Sequence, residues 1–293
     1  MNLAADSQVL ERVVAWARRE DAVRTMLLGG SRAACPERVD ALSDYDVVLF
    51  LRDPGTLAAD AGWTERFGKV LVELPERFDL PWQEIETRLV QYRDGTKVDF
   101  SLSSTEDLER IVREGALPDW LDAGYEILVD KDGVASELPP PSGEAHVPDR
   151  PGPEEFEALA QELWWETLYV AKHLVRGELL AARYSLESVI RYELLVPALE
   201  WLVQVDRGWS QPVAPHGRGP ESLLPAEIRD GLEATMPGPG RSAHWHALRV
   251  ATRVFRTVMQ SVAADLEASY PADLDRDISE RLEELRRRDV ESG

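Results

Sequence analysis

Acids and glycines recur along the chain in a pattern suited to phosphate chemistry. Leu27-Leu28-Gly29-Gly30-Ser31-Arg32 reads as an apolar strand running into a Gly-Gly-Ser turn. About a dozen residues later, Ser43-Asp44-Tyr45-Asp46 opens a second strand with two aspartates one residue apart. Side chains alternate faces along a strand, so Asp44 and Asp46 are expected to point the same way. Two carboxylates aimed at one spot repel unless a positive charge sits between them. The usual occupant is a hard divalent cation such as Mg²⁺ carrying phosphates. Glycine lets the backbone approach closely, and turn N–H groups form an anion cradle. A third acid fits the plan: Thr96-Lys97-Val98-Asp99-Phe100-Ser101-Leu102 alternates, with Val98, Phe100 and Leu102 on one face and Asp99 on the other. Together these are the minimal kit for nucleotidyl transfer.

The composition sets bounds on partners. The 293 residues hold 54 acids against 33 lysines and arginines, a formal net charge of −21. Nucleic-acid binders need a basic surface, so DNA and RNA are not expected partners. Such a charge either serves solubility alone or attracts a cationic small molecule. No apolar run is long enough to span a membrane, and the N-terminal residues lack the basic patch and apolar core of a signal peptide. Cys35 is the one cysteine, which rules out an internal disulfide or a thiolate zinc site and leaves a cytoplasmic location as the expectation.

The elements that must position the acids follow in order. Residues 7–20 place Val9, Leu10, Val13, Val14 and Ala17 at helical spacing. Strands are expected at 23–28 and 46–51, a short helix at 57–67, and a buried strand at 70–74 stopped by Pro75. Strands at 86–92 and 97–102 flank an Arg93-Asp94-Gly95 hairpin turn, and a helix over 105–113 and a strand over 125–129 complete the set. The fold class is α+β, a mixed sheet with helices, over residues 1–138. Residues 139–153 are too proline-rich for a helix or sheet interior and read as a stiff linker. Residues 154–293 read as all-helical: 154–176 closed by Gly177, 178–204 kinked or divided at Pro197, a Pro/Gly-rich loop over 208–240 with a short helix near 225–232, then 243–268 and 273–288.

Gly30-Ser31-Arg32, Asp44-Tyr45-Asp46, Val98-Asp99 and Asp130-Lys131-Asp132-Gly133 resemble the aminoglycoside 6-adenylyltransferases, or streptomycin adenylyltransferases, of the DNA-polymerase-β-like superfamily. So do Glu162-Leu163-Trp164, Tyr169-Val170-Ala171-Lys172, Arg191-Tyr192-Glu193-Leu194-Leu195, and Tyr270-Pro271 with Asp275-Arg276-Asp277-Ile278. The likeness runs in order over nearly the whole chain. Gly29 ahead of Gly30-Ser31-Arg32 and the Pro/Gly-rich 206–240 stretch depart from the family pattern.

The resemblance implies a polymerase-β-like N-terminal domain, a helical C-terminal domain, and transfer of AMP from ATP to a streptomycin hydroxyl with release of pyrophosphate. In that reaction Asp44, Asp46 and Asp99 would be the catalytic, Mg²⁺-holding acids, with Asp99 the first choice to receive or orient the acceptor hydroxyl. Gly30, Ser31 and Arg32 would hold the phosphates of ATP, and Lys172 would reach the triphosphate. Trp164, Trp165 and Tyr169 would offer flat faces to a cationic aminoglycoside, and Glu162, Glu166 and, more weakly, Glu193 would pair with its charges. Core packing is the competing reading for at least one tryptophan. Rival functions keep the chemistry but change the acceptor to another small molecule or a protein hydroxyl, or lose turnover and leave a nucleotide-binding regulator. No Walker lysine motif, dinucleotide fingerprint or hydrolase elbow is present.

Overall fold

The computed structural model describes residues 8–35, 39–80, 83–144, 146–213 and 220–292. The N-terminal segment read for a signal peptide, residue 145 of the linker and residues 214–219 of the long loop lie outside the described residues. The chain divides into two compact units, 1–145 and 146–293. No described helix is long and apolar enough to cross a membrane.

The first unit runs α1 (Gln8–Arg19), β1 (Val23–Gly29), α2 (Gly30–Ala34), β2 (Tyr45–Leu51), α3 (Pro54–Ala59), β3 (Val70–Leu80), β4 (Gln83–Tyr92), β5 (Lys97–Ser104), α4 (Thr105–Glu114), α5 (Asp119–Asp122) and β6 (Glu126–Asp130). The sheet order is β3-β4-β5-β2-β1-β6. Among the described residues the β2–β5 pair alone is parallel, so the sheet is mixed. Strand alternation sorts the two faces. Tyr45, Val47, Leu49 and Leu51 of β2 join Val98, Phe100 and Leu102 of β5 in one core layer, under Val9, Val13 and Ala17 of α1 with Trp63 and Phe67. Val48 and Phe50 bury on the opposite face against Leu108 and Ile111 of α4 and Leu121 of α5. Asp46, Lys97 and Asp99 have the parity of this second face.

Two expectations in this unit are corrected. The helix expected over 57–67 is instead the short α3 and a separate 3₁₀ turn at Trp63–Arg66. The break falls at Asp60, whose side chain accepts the Gly62 N–H at 3.0 Å. That local bond takes a donor the helix would have needed and closes a turn in its place. The strand expected to be buried and to stop at Pro75 continues to Leu80 as an edge strand, with Leu71, Val72 and Leu74 each more than half exposed. An edge strand has one side with no ladder, where a proline's missing N–H costs nothing.

The second unit is all-helical: α6 (Pro153–Val175), α7 (Leu179–Tyr184), a π-helical stretch (Ser185–Leu195), α8 (Val196–Gln204), α9 (Pro220–Leu223), α10 (Ala226–Ala234), α11 (Arg241–Leu266) and α12 (Ala272–Ser292). Gly177 closes α6 with φ +74°. The chain stays helical past Pro197, which falls in the first turn of α8 just after the π-helical hydrogen bonding ends. There its missing N–H and its ring are accommodated by the change of helix type. Leu163, Val170 and Leu174 of α6 and Phe255, Val258, Met259 and Val262 of α11 lie in the core of this unit. An α+β unit with a mixed sheet followed by an all-helical unit is the expected fold class.

Candidate active site

Three strands meet where the acids gather, at one end of the sheet. Asp46 lies beside Gly29 of β1 on one side and beside Asp99 of β5 on the other. The parallel register is what brings Asp46 and Asp99 together, since cross-strand partners share a face. Gly30 then turns the chain with φ +61°. A Cβ at Gly30 would lie 1.7 Å from Asp46 Oδ2, so only glycine lets this backbone close over the carboxylate. Ser31 follows with its side chain exposed.

Asp44 sits just ahead of β2 and joins the group through a cation. Lys97 Nζ donates to Asp44 Oδ2 at 2.5 Å and to Asp99 Oδ2 at 2.9 Å. Lys97 was not among the residues singled out from the sequence. The signal was present, because Lys97 and Asp99 are two apart on one strand and must share a face. Burial pulls the Lys97 ammonium down, but the bonds to Asp44 and Asp99 outweigh it and hold its pKa above the ordinary lysine value. Asp99 goes the other way from a typical paired carboxylate. Burial raises its pKa above the usual range despite the opposing bond from Lys97, with Asp44 and Glu76 adding repulsion. Its second oxygen, Oδ1, is buried without a hydrogen-bond partner among the described residues.

Among the described residues no group of three or more His, Cys, Asp or Glu side chains is arranged to hold a metal ion. In this structure the Lys97 ammonium bridges two of the three acids, Asp44 and Asp99. The donor chemistry still fits a hard divalent cation: carboxylate oxygens from Asp44, Asp46 and Asp99, one of them an orphaned buried acceptor.

Arg32 is engaged elsewhere in the loop. Its Nε donates to the Asp44 carbonyl at 2.9 Å, its Nη2 to the Ser43 carbonyl at 2.7 Å, and its guanidinium lies 3.8 Å from the Tyr45 ring centroid. It clamps the segment that carries Asp44 into β2, a positioning task distinct from the phosphate contact expected of it.

In the second unit α6 has a sharply divided surface. Trp164 is fully buried, edge-on to Phe255 with Arg256 over its ring. It is a core residue, which removes it from the surfaces a ligand could touch. The opposite stripe is open: Glu162, Trp165 and Tyr169 are exposed, and Glu166 and Lys172 are partly so. The Trp165 and Tyr169 rings lie 6.1 Å apart, Tyr169 and His173 6.3 Å apart, and Lys172 Nζ sits 3.8 Å from the Tyr169 centroid. Glu193 is exposed in the π-helical stretch.

Residues 4–285 match the family described as streptomycin adenylyltransferase. The chain is 25% identical to an aminoglycoside 6-adenylyltransferase of Campylobacter jejuni, over 92% of this chain and 92% of that one. It is likewise 25% identical to one of Bacillus subtilis, over 96% of this chain and 98% of the relative. A crystal structure of an aminoglycoside 6-adenyltransferase from Bacillus subtilis aligns over 95% of this chain and 98% of that chain, at 22% identity and a TM-score of 0.47.

Proposed function

Since the chain belongs to the streptomycin adenylyltransferase family, whose pattern it matches over residues 4–285, we propose that it transfers AMP from ATP to the 6-hydroxyl of a streptomycin-type aminoglycoside and releases pyrophosphate. The observation that carries this reading is the end of the first sheet. Asp46 and Asp99 are register partners there, Gly30 lies against Asp46, and Asp99 keeps a buried oxygen unpartnered among the described residues.

Asp44, Asp46 and Asp99 supply the hard oxygen donors for Mg²⁺, which when bound neutralises the triphosphate and the charge that grows on the leaving group. The Gly30 backbone and the Ser31 hydroxyl take the β- and γ-phosphates, with Arg32 holding the Asp44 segment in register. Asp99 accepts the hydrogen bond of the acceptor hydroxyl and aims its oxygen in line with the α-phosphorus; orientation of this kind supplies much of the rate in a displacement. In the helical unit the exposed α6 stripe suits a cationic sugar: Trp165 and Tyr169 provide flat apolar faces, while Glu162, Glu166 and Glu193 provide counter-charges. Lys172 is one cation we assign to the nucleotide. The net charge of −21 favours approach of a polycationic drug over that of nucleic acid.

The test is incubation with Mg-ATP and a panel of aminoglycosides, reading pyrophosphate release and the mass of the drug. One AMP added to streptomycin is the expected result. Pyrophosphate released only with a different acceptor moves the reading to another substrate, and ATP binding without turnover on any acceptor overturns it.

A further inference from the structure

Lys97 is the one member of the acid cluster whose charge opposes a metal ion. Its ammonium donates to Asp44 at 2.5 Å and Asp99 at 2.9 Å, and so takes up carboxylate oxygens that a cation would need. The arm is short of full burial: about a third of the Lys97 side chain is exposed, and its four-carbon stem is flexible, so the head can leave without moving the strand. Nor does the lysine complete the site, because Asp99 Oδ1 stays buried without a partner among the described residues. A structural salt bridge normally satisfies both oxygens of a buried acid.

We propose that Lys97 is a tethered competitor for the divalent cation. Its ammonium closes Asp44 and Asp99 in the metal-free protein, leaves them when the cation enters with nucleotide, and then pairs with a phosphate oxygen. This rests on the reading of Asp44, Asp46 and Asp99 as the metal-holding acids. The consequence is a change of sign. Lys97 lowers the affinity for the bare metal, because only the fraction of molecules with the arm released can bind it. The same charge raises the affinity for the metal–nucleotide complex, where it meets an anion instead of another cation.

The experiment is a Mn²⁺ titration of the full chain without nucleotide, followed by the free-ion electron paramagnetic resonance signal, and a separate ATP titration at saturating Mn²⁺. Lys97→Gln should bind Mn²⁺ about tenfold more tightly than the parent and ATP about tenfold more weakly. Lys97→Arg should keep Mn²⁺ affinity near that of the parent, because the competing charge remains. Equal or weaker Mn²⁺ binding by Lys97→Gln overturns the proposal. Asp46→Asn separates the two readings: if the parent binds no Mn²⁺, or Asp46→Asn binds it equally well, the acids are not metal ligands. If Mn²⁺ is lost in Asp46→Asn but not tightened in Lys97→Gln, only the role of Lys97 falls. Should Lys97→Gln not fold, the ¹⁵N signal of Lys97 Nζ in the parent provides the test. It should move on adding Mg²⁺, and an unchanged signal at saturating metal is the contrary result.

Discussion

Each unit holds a carboxylate paired with a cation, and the two pairs are built differently. In the helical unit, Asp275 receives Arg256 Nε on Oδ2 and Arg256 Nη2 on Oδ1, and it also accepts from Tyr270 Oη at 2.8 Å and Ser279 Oγ at 3.0 Å. Burial pushes the Asp275 carboxyl up, but these donors prevail and hold its pKa below the usual range. In the sheet unit, Asp99 has one oxygen on Lys97 and the other without a partner among the described residues, and burial prevails. The first acid is fully spent on holding α11 to α12. The second keeps bonding capacity in reserve at a cost in stability, which is the mark of a group positioned for a ligand.

The sharpest way to break the contrast is Asp99→Asn. Turnover, measured as pyrophosphate release, should fall on the order of 10³-fold, while the urea midpoint at neutral pH should hold or rise. The sign follows from linkage: an acid whose folded pKa is raised contributes stability at low pH that is lost as pH rises through that folded value, so its charged form is a burden at pH 7. Asp275→Asn should do the reverse. Urea unfolding followed by tryptophan fluorescence should lose about 3 kcal/mol, because Arg256 is left half-buried without its counter-charge.

Gly30→Ala should come next, at about 1–2 kcal/mol for a side chain at positive φ, together with loss of activity as the new methyl displaces the Asp46 carboxylate. Acid then separates the pairs without mutation. Stability from Asp275 is present above the ordinary aspartate pKa and is lost as pH falls through its lower folded value, so hydrogen exchange should open α11 and α12 on acidification. The Asp99 contribution runs in the opposite direction. The smallest effect should be at Arg183, an exposed residue of α7 that pairs with Glu187 of the π-helical stretch: Arg183→Ala should change the stability read from urea unfolding by less than about 0.5 kcal/mol.

Local signals were the most legible. Ser104 caps α4 in a reciprocal bond with Asp107, and Gly115 ends it in the left-handed region, so this helix is written in adjacent residues. The hairpin at Arg93-Asp94-Gly95 closes through Gly95 N to the Tyr92 carbonyl, again a contact of near neighbours. Pro75 was harder, because whether proline ends a strand depends on whether that strand lies at the sheet edge. Of the site, the acids and the Gly-Gly-Ser turn could be picked out by type and spacing. Arg32 could not be assigned to the Ser43 and Asp44 carbonyls, nor Trp164 to the core, since helical spacing alone does not say which neighbours a face will meet.

By itself the sequence determined the alternation that puts Asp46 on one face of its strand and Asp99 on one face of another, and the conformational freedom at Gly30. Tertiary structure alone decided that those faces are the same face. The parallel pairing of β2 with β5 joins segments about fifty residues apart, and its register is set by burial of Val47, Leu49, Phe100 and Leu102 in the core layer they share with Trp63 and Phe67. That packing aligns the two acids and swings Lys97 between Asp44 and Asp99, because a shift of one residue would turn every one of these side chains to the opposite side of the sheet.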